Sequence, residues 1–226
     1  MRVLVVSATP SEIAPIVAQL RPASERRSNP TAYSRAGHDV DVLITGVGMV
    51  AAAAWCSRTL AVTPYDVALN FGLCGSFDPA LAPGSVVHVT SDRIAELGAE
   101  DDDTFLTIQQ LNLLGDDEYP FRGGRLVNTA PPESASLGAL PAVDGITVNT
   151  VHGSGRSIAT VMRRFAPQVE SMEGAAFMYA CLIHGLAFAQ VRAVSNVVEK
   201  RNRDAWRVAD AISTLHVAAL SILDDL

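Results

Sequence analysis

The feature that most limits what this chain can become is a repeated pattern: a short apolar run stops at a turn of small and polar residues, and a helical apolar period follows. Residues 3–6, Val3-Leu4-Val5-Val6, are continuously apolar, as a strand buried on both faces must be. They lead through Ser7-Ala8-Thr9-Pro10-Ser11-Glu12 into an apolar-periodic segment that runs to Leu20. Thr9 as N-cap before Pro10 marks a helix start and sets Glu12 in the first turn. Residues 21–30 are polar, with two prolines, and read as a loop; residues 32–36 and 40–44 form a hairpin around Gly37-His38-Asp39.

The pattern then recurs. Ile44-Thr45-Gly46-Val47-Gly48-Met49-Val50 turns a strand into a helix over residues 51–60, and the strand at 66–71 ends in a glycine-bearing loop, Gly72-Leu73-Cys74-Gly75-Ser76-Phe77. A strand at 86–90 follows the Pro83-Gly84 turn, and the periodicity degrades over residues 95–141. It returns as a strand at 145–151 and a helix at 157–165. After the short strand at 168–172 come a helix at 173–184, a strand at 187–193 and a final helix from 204 to about 223. That last helix places Val208, Ala211, Ile212, Leu215 and Ala219 on one face.

This order predicts an α/β fold of three layers, a central mixed, mostly parallel twisted sheet with helices on both faces, built as one domain over residues 1–226. Ligands of such sheets sit at the carboxyl ends of the strands, where the loops at 7–12, 45–49, 72–77 and 195–199 would meet. The Gly46-Val47-Gly48 pair does not complete a dinucleotide-binding GxGxxG, so close approach of backbone to a ligand or to the sheet accounts better for its glycines.

Composition narrows the partners. A net charge of -7 without a Lys/Arg cluster argues against nucleic acid and against an anionic membrane surface. No apolar run reads as long enough to span a bilayer, and Met1-Arg2-Val3 leads to no signal-type cleavage site, so a soluble cytoplasmic protein is expected. Cys56, Cys74 and Cys181 are widely spaced and suggest neither a disulfide framework nor a zinc site. The histidines are scattered and the acidic run Glu100-Asp101-Asp102-Asp103 reads as a solvated face; neither metal nor cofactor is expected.

At Gln168-Val169-Glu170-Ser171-Met172-Glu173-Gly174 a short apolar strand delivers a carboxylate to the mouth of an alanine-rich helix. Helix N–H groups would hold Glu173 ionised and oriented, suited to gripping hydroxyls. The competing account is a glutamate that merely decorates a first turn.

Together, Glu12 in the first helix, the Gly-Val-Gly turn, Asn70-Phe71-Gly72-Leu73-Cys74-Gly75, Met172-Glu173 and Val191-Arg192-Ala193-Val194-Ser195-Asn196 resemble the nucleoside phosphorylase/nucleosidase superfamily. Within it the chain looks most like the nucleosidase branch, that of the methylthioadenosine/S-adenosylhomocysteine nucleosidases and, more closely, the futalosine hydrolases. The likeness runs nearly end to end and is weakest over residues 95–141. It implies a nucleoside phosphorylase-like fold, a small-molecule nucleoside substrate, and a homodimer or higher homo-oligomer. By position it gives Met172 and Glu173 the ribose, Glu12 the proton of the attacking water, and Val47, Leu73, Cys74 and Gly75 the loop surfaces facing base and ribose. His152 falls in the region that supplies a purine-stacking aromatic in relatives. Trp206 and Phe77 are further candidates to cap the pocket, and Arg201 and Arg203 to meet a carboxylate on the substrate's tail.

Two positions depart from the family pattern. Ser171 stands before Met172 where a second carboxylate is common, and Asn196 replaces an Asp that protonates the purine. A neutral amide is no general acid near neutral pH, but it can donate to O6 or N7 of a 6-oxopurine and accept from a ring N–H. This chemistry predicts hydrolysis of a 6-oxopurine nucleoside, and the resemblance implies futalosine, split to hypoxanthine and dehypoxanthine futalosine in menaquinone biosynthesis. Because residues 7–12 carry an anion and no Lys or Arg, water is a better nucleophile there than phosphate. The alternatives are a purine nucleoside phosphorylase, a methylthioadenosine-type nucleosidase, a non-catalytic nucleoside-binding or storage protein on the same fold, and a flavodoxin-like or Rossmann-type module. The incomplete glycine motif tells against the last, and the pairing of Glu12 with Glu173 against a mere binder.

Overall fold

A computed structural model describes residues 1–23 and 29–226. Of the loop expected at 21–30, residues 24–28 therefore lie outside the described residues, and Arg21–Pro22 forms a short strand. The elements in chain order are β1 (Arg2–Ser7), α1 (Pro10–Val17), β2 (Arg21–Pro22), β3 (Thr31–Arg35), β4 (His38–Ile44), α2 (Met49–Val62), β5 (Val67–Ser76) and β6 (Val86–Asp92). They continue with β7 (Gly98–Asp101), β8 (Thr104–Thr107), β9 (Leu126–Val127), α3 (Ala135–Gly138), β10 (Ala142–Thr147) and α4 (Gly155–Phe165). The chain ends with β11 (Val169–Ser171), α5 (Gly174–Ile183), β12 (Ala187–Val197) and α6 (Val208–Asp225).

The main sheet runs β11-β10-β6-β12-β5-β1-β4-β3-β2, with β9 on β6. It is mixed: β1 pairs in parallel with β4 and β5, and β5 with β12, whereas β6 meets β12 antiparallel. One end of the sheet curls until β11 also pairs antiparallel with β5, matching Val169 to Ser76 and Glu170 to Gly75. Strands β5, β12, β6, β10 and β11 thus form a closed ring, filled by Cys74, Leu81, Val87, Val89, Val143, Val169 and Val194. The closure bends the flat three-layer picture at this end and leaves the rest of it in place.

Helices cover both faces. α1 and α6 sit over Val3, Val5, Leu69, Phe71 and Val191, while α2 and α5 sit over Leu4, Val6, Ala68 and Phe188. α6 with the turn before it, Arg203–Asp225, is long and apolar enough by length and composition to cross a bilayer, which the sequence reading did not anticipate. Its face of Ala211, Leu215, Ala219, Ile222 and Leu223 is instead buried in the core.

Other expectations shift at the ends. β5 continues to Ser76 and β12 to Val197, so Gly72–Gly75 and Ser195-Asn196 lie in strands, not in the expected loops. Their pairing with each other across β5 and β12 outweighs the low strand propensity of glycine and asparagine there. The strand expected at 145–151 is β10 and ends at Thr147, and α4 begins two residues before the expected 157. The stretch at 95–141 contains the β7–β8 hairpin, and the exposed acidic run Glu100–Asp103 spans the end of β7 and its turn.

Leu215 is fully buried, and Val217 on the same helix is 64 % exposed. Leu215→Ala is expected to lower stability by about 2–5 kcal/mol, and Val217→Ala by no more than about 0.5 kcal/mol. Urea unfolding of the two variants checks the assignment of the buried face of α6.

Candidate active site

The turn at the end of β1 is organised by Glu12. Thr9 caps α1, and the Glu12 side chain reaches back to it: Oε2 accepts the Thr9 N–H at 2.9 Å and the Thr9 hydroxyl at 2.8 Å. This is a capping box, and it holds the carboxylate still. The other oxygen, Oε1, accepts the Leu73 N–H of β5 at 3.2 Å, so the glutamate spans from helix start to strand.

Glu173 approaches from the opposite side. It is the N-cap residue of α5 by backbone conformation but makes no side-chain cap there. Its Oε1 instead accepts the Gly48 N–H at 2.9 Å, at the entrance of α2. Gly48 has φ 96°, a region that excludes most side-chain-bearing residues, and this lets the amide face the carboxylate. Glu173 is only 7 % exposed. Burial pushes its carboxyl up from the ordinary range; Arg192 and the Gly48 N–H work against that shift, and the nearby charge of Glu12 adds to it. The amide that meets the carboxylate thus belongs to the start of α2 and not, as expected, to its own helix.

Between these carboxylates and the sheet lies Arg192, 2 % exposed, which sequence reasoning did not single out. Its Nε and Nη2 make no hydrogen bond among the described residues. A Cβ built at Gly72 would lie 2.3 Å from Arg192 Nη1 and 3.4 Å from Glu12 Oε1, so any side chain there would have to displace the guanidinium where strand, arginine and glutamate converge. The signal was present: a cation inside the apolar run Val191-Arg192-Ala193 has to be answered by buried carboxylates.

The base-side candidates gather on the curled end of the sheet. Gly75 pairs with Glu170 of β11 on one side and with Asn196 of β12 on the other. Asn196 is half-buried; its Oδ1 accepts the Ser195 hydroxyl at 2.8 Å and its Nδ2 donates to the Val197 carbonyl at 2.9 Å. A small pocket here is lined by Gly75, His152, Glu170, Asn196, Arg201 and Trp206. Arg201 and Arg203 both lie over the Trp206 ring, at 5.6 and 5.9 Å from its centroid. Val47 is 57 % exposed beside Gly48, and Met172 is half-buried before Glu173. Leu73 is half-buried and joins the site through its amide, whereas the Cys74 side chain turns into the closed ring, where burial pushes its thiol up to about 12. Glu170, which sequence reasoning also left out of the site, is buried and meets His152.

The family model described as Phosphorylase superfamily matches residues 2–224. The chain is 34 % identical over 181 residues to a futalosine hydrolase of Streptomyces coelicolor, covering 77 % of this chain and 74 % of that protein. It is 33 % identical over 181 residues to a futalosine hydrolase of Thermus thermophilus, covering 80 % of each. Among solved structures, the Streptococcus pneumoniae MTA/SAH nucleosidase in complex with 8-aminoadenine superposes with a TM-score of 0.81 at 19 % identity, over 100 % of both chains, and shares the fold.

The start of α5, just after Glu173, is tied to another buried carboxylate. Asp92, 1 % exposed, accepts from the Thr147 hydroxyl at 2.9 Å and from Gln190 Nε2 at 3.0 Å, and Thr147 in turn accepts the Ala175 N–H of α5 at 2.7 Å. A Cβ at Gly174 would come within 2.4 Å of Asp92 Oδ2, so only glycine fits between them. Burial pushes Asp92 up to about 6, against the pull of Gln190, Thr147 and Arg192. The folded protein therefore keeps this proton through a window, from about pH 4 to 6, in which the unfolded chain has released it. Raising the pH through that window costs stability, by up to roughly 3 kcal/mol. Asp92→Asn, which has no such proton, is expected to gain on the wild type by up to that amount between pH 4 and 7. Urea unfolding across the range measures it, and parallel stability curves would contradict it.

Proposed function

The chain belongs to the Phosphorylase superfamily, and we propose that within it the protein is an N-glycosyl hydrolase that splits futalosine into hypoxanthine and dehypoxanthine futalosine, a step of menaquinone biosynthesis. Futalosine hydrolases at 34 % and 33 % identity over most of the chain support this substrate. One observation carries the chemistry: Glu12 and Glu173 converge from two elements, each pinned by a backbone N–H, close enough for the charge of one to act on the other.

Two carboxylates so placed suit a ribosyl centre that becomes cationic as the glycosidic bond stretches, because they oppose the charge that develops there. Glu173 grips the ribose hydroxyls with Met172 alongside, and Glu12 takes the proton of the water that attacks C1′. The exposed Val47 and the Leu73-Gly75 strand flank the substrate. Asn196 holds the departing purine through hydrogen bonds that strengthen as negative charge builds on it. A 6-aminopurine offers the wrong edge and leaves polar groups unpaired, a penalty of roughly 1–3 kcal/mol per group. Phosphate fits poorly as nucleophile, since the two anions repel it and Arg192 lies buried beneath them.

The reading extends to assembly and place. Val50 and Val62, 82 % and 76 % exposed on α2, suit burial against a second copy, giving a homodimer or higher homo-oligomer. The buried, unpaired Cys56, Cys74 and Cys181 suit a reducing cytoplasm.

Purified protein is expected to release hypoxanthine from futalosine without added phosphate, and to act poorly on methylthioadenosine. Glu12→Gln should lower kcat by roughly 10²–10⁴-fold, with circular dichroism confirming that α1 survives the change to its cap. A sugar 1-phosphate product, or unchanged turnover of the variant, would sink this mechanism.

A further inference from the structure

Asn196 leaves the base side of the pocket without an acid, because a carboxamide has no proton to give near neutral pH. Beside it stands an imidazole with a buried carboxylate behind it. Glu170 is 4 % exposed; its Oε1 accepts the His152 backbone N–H at 3.1 Å, and its Oε2 lies 2.6 Å from His152 Nδ1. An ionised carboxylate only accepts, so Nδ1 is the donor in this contact and Nε2 is the ring's other proton carrier.

The pair faces the place where the leaving group has to sit. His152, Glu170 and Asn196 line one pocket, and a Cβ at Gly75 would be 3.6 Å from Glu170 Cγ and 3.3 Å from Asn196 Nδ2. Phe77 meets the imidazole edge-on with ring centroids 6.1 Å apart, and the His152 side chain is 14 % exposed, so the ring is held and still reachable. A purely structural pair would serve to pin the segment after β10 to β11. The backbone hydrogen bond to Oε1 already does that, and the contact at Nδ1 is additional to it. An imidazole oriented at one nitrogen by a buried carboxylate and open at the other is the arrangement of an acid–base group.

Resting on the hydrolase reading above, we propose that His152 is the general acid for the departing purine and Glu170 the residue that positions it. As the C1′–N9 bond breaks, its electron pair goes to the purine, and the Nε2 proton of the imidazolium passes to purine N7. Neutral His152 keeps its Nδ1–H on Glu170. Water adds its oxygen to C1′ and gives its proton to Glu12, and exchange with solvent resets both groups, so the sum is hydrolysis with no oxidant or reductant. Asn196 then orients the base and His152 protonates it, which divides between two side chains what one carboxylic acid does elsewhere.

The test compares two leaving groups. Futalosine, the nucleoside substrate, needs protonation of its purine to depart, whereas 4-nitrophenyl β-D-ribofuranoside releases a stable anion and does not. His152→Asn retains a donor near the position of Nδ1 and removes the Nε2 proton. It is expected to lower kcat on the nucleoside by roughly 10²–10⁴-fold and to leave kcat on the aryl riboside little changed. Glu170→Gln, which also serves if the first variant fails to fold, is expected to lower the nucleoside rate selectively and less severely. Equal losses on both substrates, or unchanged nucleoside turnover, would overturn the assignment. Wild-type enzyme inert toward both would overturn the hydrolase reading and this one with it, a result distinct from any variant effect.

Discussion

Much of the site depends on the pairing of β11 with β5. A three-residue strand cannot hold itself, and β11 is stable because β10 bonds one edge while β5 takes the other in antiparallel register. Closing the ring sets Glu170, Gly75 and Asn196 on neighbouring strands and aims the chain leaving β11 at the sheet's carboxyl end, where Met172 and Glu173 begin α5. Were the sheet open, β11 would be an exposed edge and the turn into α5 would have no fixed direction.

The charge arrangement follows from that geometry. Glu12, Glu173 and Asp92 come from different elements, and the buried Arg192 works against the upward shifts of Glu173 and Asp92. A lone buried guanidinium would be costly, and so would uncompensated carboxylates; each makes the other tolerable. Arg192 acts from β12, while the Leu73 amide of β5 holds Glu12 and the Gly48 amide at the start of α2 holds Glu173, so the carboxylates are restrained from more than one element. Restrained anions are what a developing cation can use, because they need no rearrangement when it forms.

What could be read from the sequence divides along the same physical line. Local signals were legible: the apolar runs of β1 and β4, Thr9 and Pro10 at the start of α1, and the apolar face of α6 each depend on neighbours in the chain. What depended on distant partners was not. Gly72–Gly75 read as a loop because glycine favours turns, and they became strand because β12 bonds the whole stretch along one edge and β11 takes the other at Gly75. The same holds for the candidate site. Glu12, Glu173 and Asn196 drew roles from their motifs, while Arg192 and Glu170 stood in the same motifs without one and Asp92 lay just past the strand expected at 86–90, because only tertiary burial marks these three charges.

Glu12 shows why a structural role and a chemical one need not compete. In the capping box its carboxylate satisfies the Thr9 amide, which would account for a glutamate at that position in any helix. The cap engages Oε2, however, and leaves Oε1 on the Leu73 amide, facing the strand that carries Gly72. An oxygen whose partner is a single N–H retains lone-pair capacity for a water. The cap thus fixes the rotamer and lowers the freedom that a base would otherwise lose on binding water. Stability of α1 and readiness of the base then rest on the same hydrogen bonds, and a residue that strengthened the cap but moved Oε1 would stabilise the helix at the expense of the chemistry.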